Sequence, residues 1–124
     1  MLQPLDDLPP GVIGFEAVGE VEADDYERVL DPAVDAAAGD GRIRLVYVLG
    51  DRFTGYSAGA AWQDTRLGLT HLKAWDRLAL VSDLDWVEHL VGLFGWMVPG
   101  DVKPFGLNEL PRAIGWAAGD GVVT

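Results

Sequence analysis

Apolar and polar positions alternate in recognisable blocks along the chain. From Val12 to Val21, Ile13, Phe15 and Ala17 fall on one face and Glu16, Val18 and Glu20 on the other, a period of two that predicts a strand. Gly14 and Gly19 interrupt it, so a bend or bulge is expected near Val18-Gly19, in what reads as an outer strand. Next, Asp24 and Glu27 have the spacing of an acidic capping box, and Tyr26, Val29, Leu30, Ala33 and Ala37 recur at helical intervals. They predict a helix over 24–38, closed by Gly39-Asp40-Gly41. Pro32 lies too deep for a first turn, which implies either a kink or a restart with Asp31 as a second N-cap.

Two runs then lack alternation. Ile43–Leu49, polar only at Arg44, and Leu78–Val81 are apolar throughout, as expected for strands covered on both faces in the middle of a parallel sheet. Between them, 57–74 reads as a crossover helix, with Ser57 as N-cap and Ala58, Ala61, Trp62, Leu69 and Leu72 recurring roughly at helical intervals of one or two turns. The stretch 83–96 repeats the pattern, with Asp83 as cap and Leu84, Val87, Leu90, Val91 and Phe94 as its stripe, and Pro99-Gly100 stops it. Val102–Phe105 is a short strand confined to an edge by Pro104. Asn108–Ala118 is a last helix with Pro111 in its first turn and Gly119 after it. Strands and helices alternating on short loops predict one α/β domain. Its mixed, mostly parallel sheet should have four to five strands covered by about four helices. The core is expected over 8–118, with 1–7 and 119–124 as loose ends.

Composition narrows the function. With 9 Lys+Arg against 20 Asp+Glu in 124 residues, the net charge is −11, which disfavours nucleic acid and anionic lipid surfaces as partners. The absence of cysteine excludes disulfides, thiolate metal sites and a thiol nucleophile, and fits a cytoplasmic setting. The opening MLQPLDDLPP has neither a cationic start nor an apolar run, so no signal peptide is expected, and no segment is apolar enough for a membrane span.

Four stretches carry a family resemblance: LPPGVIGFEAVGEVEADDYERVLDPAVDAAA, RIRLVYVLGDRFTGYSAGAAWQD, DRLALVSDLDWVEHL and PFGLNELPRAIGWAA. Within them the most specific parts are Asp25-Tyr26, Gly50-Asp51, Arg77–Val81 and the tryptophan near the end, Trp116. Together they resemble the SpoIIAA-like proteins, relatives of the STAS domain of anti-sigma factor antagonists, over about 8–118. The resemblance implies a small sheet covered by helices, without enzymatic activity, used for protein–protein switching or for binding an apolar small molecule. In STAS switches a serine opening the helix after the central strand accepts phosphate, and the matching position is Ser57. The switch motif is Asp-Ser-Ser-Gly, whereas this chain has Tyr56-Ser57-Ala58-Gly59 and lacks the preceding acid.

The candidate chemistry is limited. His71 and His89 have no metal-ligand spacing and read as structural or surface residues, so no metal and no cofactor is expected. Gly55-Tyr56-Ser57-Ala58-Gly59 matches the nucleophile-elbow pattern of serine hydrolases, but only His71 and His89 could follow as base, each within an expected helix. Ser57 as a helix cap is the plainer reading, and no catalytic residue is assigned. The aromatic residues say more. Trp86, Leu93 and Trp96 form a second apolar line on the 83–96 helix, and Phe53, Tyr56 and Trp62 cluster near the start of the preceding one. An apolar cleft between helices 57–72 and 83–96 is therefore expected, lined by Phe53, Trp62, Leu69, Trp86, Leu90, Leu93 and Phe94, with Tyr56 and Ser57 supplying hydrogen bonds. Its occupant would be an apolar or lipid-like small molecule. A second copy of the chain, a regulatory protein partner and a transient membrane contact are the alternatives.

Overall fold

The computed structural model describes residues 1–39, 41–57, 75–83 and 101–119, with the side chains of Tyr56 and Asp101 outside that description. Five strands form one sheet in sequential order: β1 (Leu2–Pro4), β2 (Ile13–Val21), β3 (Ile43–Tyr56), β4 (Trp75–Ser82) and β5 (Asp101–Phe105). β1 is antiparallel to β2, and every other pairing is parallel. The expected single α/β domain with a mixed, mostly parallel sheet is the fold observed.

The apolar run of β3 explains the layering. Ile43, Leu45, Tyr47 and Leu49 point into one cluster, together with Phe15, Ala17 and Val21 of β2, Trp75 of β4, and Tyr26, Leu30 and Val34. Val46 and Val48 point the opposite way, joining Ala79 and Val81 of β4, Phe105, and Ala113 and Ala117 of the last helix. A strand buried on both faces has no use for alternation, which is why Ile43–Leu49 is apolar at nearly every position.

The first face is covered by helix. α1 (Ala23–Asp25) runs into a π-turn (Tyr26–Leu30) and then α2 (Asp31–Gly39). The cap differs from the expected Asp24/Glu27 pair. Asp25 Oδ2 accepts from Glu22 N–H at 2.8 Å while Asp25 N–H donates to the Glu22 carbonyl at 3.0 Å, so the reciprocal contact starts two residues earlier. Nor does the helix restart at Asp31, whose backbone is helical (φ −57°, ψ −47°) and whose N–H reaches the carbonyl of Tyr26, five residues back. The wide turn accommodates Pro32, which has no N–H to donate and whose ring would crowd the carbonyl four residues earlier.

The lead-in is a correction. Residues 1–7 were expected to be loose, yet Leu2 pairs with Ala17 and is 3% exposed, so β2 is flanked by β1 and is not an outer strand. Leu5 and Leu8 pack on the second cluster directly over Gly14, where a methyl group would lie 2.8 Å from Leu5 Cδ1 and 3.1 Å from Leu8 Cδ1. The apolar residues at 2, 5 and 8 are the signal that the prolines obscured. The expected bulge is present: the β2–β3 register shifts on both sides of Gly19, which has φ +66°. β3 and β4 are longer than the apolar runs that announced them, because β3 continues through Phe53 to Tyr56 beside the last residues of β2.

After β5, a 3₁₀ turn (Leu107–Glu109) leads into α3 (Leu110–Ala117), with Pro111 in its first turn. Gly106 N–H donates to Glu109 Oε1 at 2.9 Å, and Asp83 Oδ1 accepts from Leu107 N–H at 3.0 Å. The other end of α3 is held by two arginines from neighbouring strands. Arg44 Nη1 donates to the Ala118 carbonyl at 3.1 Å while its Nε contacts Asp76 Oδ2 at 2.7 Å. Arg77 donates to the Trp116 carbonyl and lies 5.1 Å from the centre of the Trp116 ring. Cationic donors on the last carbonyls satisfy acceptors that an α-helix leaves open and oppose the negative end of its dipole. Gly119, at φ +97°, closes the helix as expected.

Candidate functional site

Phe53, Tyr56 and Ser57 lie together where β3 ends. The β3 extension aligns Phe53 with Gly19 and Tyr56 with Val21, and Ser57 N–H donates to the Val21 carbonyl at 2.9 Å. Phe53 is half-buried against the first cluster, on the helix-covered face, which half-buried Leu78 and Leu80 of β4 join farther back along the sheet. Ser57 is half-buried. The helices expected over 57–74 and 83–96, with Trp62, Leu69, Trp86, Leu90, Leu93 and Phe94, lie outside the described residues apart from Ser57 and Asp83, as do His71 and His89.

The backbone bears on the nucleophile-elbow pattern. An elbow places its serine on a sharp, strained strand-to-helix turn. Among the described non-glycine residues, Asp7 alone has a positive φ, at 58°, and Ser57 continues the strand's hydrogen bonding through Val21. No group of three or more His, Asp or Glu among the described residues is placed to hold a metal ion. No described helix is long and apolar enough to cross a membrane.

A concave region that the sequence does not announce lies on the opposite face. Leu5, Val48, Val81, Leu107 and Leu110 line an open cleft of about 340 Å³, with Glu16, Gly50, Asp51 and Arg52 along it. It sits toward the carboxyl ends of β3 and β4, the usual location of ligand crevices in parallel sheets. Glu16 is carried here because β2 alternates: Phe15 and Ala17 enter the first cluster, so Glu16 faces the other way, aligned with Val48. Its Oε1 accepts from Arg52 Nη2 at 3.0 Å; the Glu16 side chain is 25% exposed and that of Arg52 58%. Gly50 leaves room at the centre, since a methyl group there would make only ordinary contacts, 3.6 Å to Leu107 Cδ2 and 3.7 Å to Glu16 Oε2. The alternation of Val12–Val21 is the available signal, since it sets Glu16 on the face opposite Phe15 and Ala17, but it does not show which chain covers that face.

A mostly parallel sheet with its helices and apolar clusters in this order defines a small α/β domain of the STAS-like kind. The SpoIIAA-like family model matches residues 12–118, and the chain belongs to that family. Among solved structures, the chain is similar to an uncharacterized protein with a SpoIIAA-like fold from Shewanella loihica PV-4. The two are 28% identical, with a TM-score of 0.74 over 94% of this chain and 92% of that one. No curated protein matches.

Proposed function

We propose that this SpoIIAA-like domain is a non-enzymatic binding module for an apolar, lipid-like small molecule, held on the helix-covered side of the sheet between segments 57–72 and 83–96. The observation that carries the reading is the apolar surface from which those segments depart. Phe53, Leu78 and Leu80 pack on the first cluster yet keep partial exposure, and the segments that follow β3 and β4 in the sequence hold Trp62, Leu69, Trp86, Leu90, Leu93 and Phe94. Apolar surface left in water forfeits roughly 25 cal/mol for each Å², so a ligand able to cover it gains a comparable amount. The unstrained backbone at Ser57 weighs against hydrolysis, in keeping with a role that needs no nucleophile.

Native mass spectrometry of gently purified protein tests this. A co-purifying hydrophobic molecule is expected, together with binding of a fluorescent fatty-acid probe that Trp86→Ala weakens. A bare monomer mass with no probe binding overturns it, as does esterase turnover abolished by Ser57→Ala. A second reading, a STAS-type switch phosphorylated on Ser57 and read by a regulatory protein, is favoured by the position of Ser57 directly after β3 and its partial exposure. Intact-mass measurement of protein from its native host decides it, with an added phosphate on Ser57 expected if the switch operates.

A further inference from the structure

We propose that the cleft on the α3 face is a binding site for a small organic cation, an amine carrying a short apolar body. This does not rest on the lipid reading, because Phe53 packs on the other face of the sheet. The floor is apolar, formed by Leu5, Val48, Val81, Leu107 and Leu110, and its volume of about 340 Å³ accommodates about eleven water-sized groups. The charged side chains that meet at the cleft are the Glu16 carboxylate and its partner, the Arg52 guanidinium. The preference for a cation comes from the chain around this pair, whose net charge of −11 raises the local concentration of cations and repels anions.

Arg52 indicates how such a ligand binds. The Glu16 carboxylate is three-quarters buried, and its partner comes from a side chain that is mostly in water. An ion pair with one partner so exposed is readily exchanged. Arg52 thus acts as a built-in stand-in: when an ammonium group enters above Gly50 and takes the Glu16 oxygen, Arg52 swings into solvent and the carboxylate stays paired throughout. A buried carboxylate that never loses its counter-charge avoids the desolvation penalty that would otherwise oppose exchange. Gly50 is essential to this geometry. It is the one lining residue without a side chain, it lies beside both Glu16 and Leu107, and its backbone is not in the left-handed region, so a larger residue fills the cleft without straining the chain.

Titration of the intact protein with hexylamine, hexanol and hexanoate, followed through backbone amide NMR shifts, tests the proposal. Hexylamine is expected to shift Gly50, Asp51, Leu107 and Leu110 saturably, hexanol to bind at least fivefold more weakly, and hexanoate more weakly still. Glu16→Gln should weaken hexylamine at least tenfold, and Gly50→Val should abolish binding while the remaining spectrum is retained. Arg52→Gln is the discriminating variant. With the internal competitor removed, hexylamine should bind severalfold more tightly, an effect that a merely structural ion pair does not produce. The proposal is overturned if hexanoate binds as well as hexylamine, if none of the three shifts these amides, or if Arg52→Gln weakens the amine.

Discussion

Replacing Arg77 with alanine removes one of the two clamps on α3, and the structure sets the size of the effect. α3 spans only eight residues, Leu110–Ala117, too few to persist by local hydrogen bonding, so tertiary contacts must hold it. Ala113 and Ala117 are fully buried and Leu110, Ile114 and Trp116 pack partly on the same cluster, and the arginines fix the end of the helix that this apolar face does not cap. A charge-assisted hydrogen bond contributes ~1.5–3 kcal/mol. The Trp116 carbonyl is only part-buried and also accepts from Gly119 N–H at 3.0 Å, so the lower end applies. The stacking of the guanidinium on Trp116 adds ~0.5–1 kcal/mol. Arg77→Ala should therefore cost about 2–2.5 kcal/mol, and Arg77→Lys, which keeps the charge but loses the planar fork, about half of that. At roughly 4 °C per kcal/mol for a chain of this size, the alanine variant should melt about 8–10 °C lower. Urea unfolding at neutral pH measures the difference directly, and because the contact is part-buried, moderate salt should change it little. If both variants unfold within about 0.5 kcal/mol of the parent, the arginine does not hold α3 and the account is wrong.

Two further perturbations test the packing. Gly14→Val drives a branched side chain into Leu5 and Leu8 and should cost ~1–3 kcal/mol, whereas Gly50→Ala, with nothing nearer than 3.6 Å, should stay within about 0.5 kcal/mol; equal effects in chemical denaturation would refute the placement of the 5–8 segment. Trp75 is buried with no partner for its Nε1 among the described residues, a condition that costs ~1–3 kcal/mol, so Trp75→Phe should offset most of its lost packing and unfold within about 1 kcal/mol of the parent; a loss above 3 kcal/mol would show the indole N–H to be satisfied.

The parts of the fold legible in the sequence were those where one periodic signal dominates. Ile43–Leu49 reads as a strand covered twice, and Tyr26, Val29, Leu30, Ala33 and Ala37 as one helical stripe whose members all meet the first cluster, although Val34, buried beside them, falls outside that stripe. The parts missed were those where two signals compete. In the first residues, Pro4, Pro9 and Pro10 suggested loose chain, while Leu2, Leu5 and Leu8 were anchoring it to the sheet. At Pro32 either a break or a kink was conceivable, and the chain instead widens one turn, in which Asp31 N–H reaches the Tyr26 carbonyl and the proline ring is accommodated. Of the candidate site, Phe53, Tyr56 and Ser57 are neighbours in the sequence, but it places them near a helix start and not at the end of β3, because the apolar run stops at Leu49 while the strand continues to Tyr56. The Glu16–Arg52 pair could not be read there, because 36 residues separate the two and only the β2–β3 pairing brings them together. The arginine clamp is hidden for the same reason: Arg44 and Arg77 are isolated charges in the sequence and become neighbours only through strand register.

The two outer strands have a consequence for how this domain can meet other molecules. At one margin of the sheet lies β1, three residues long and ending in Pro4; at the other lies β5, which carries exposed Lys103 and Pro104. A proline offers no N–H to an incoming chain, and a lysine on a rim strand disfavours backbone docking. Neither margin therefore offers a continuous row of donors and acceptors on which a foreign peptide, or a misfolded copy, could zip itself as a sixth strand. Recognition is directed to side chains on the two broad faces, where shape and charge discriminate between ligands, and the domain carries its own protection against growing into a fibre.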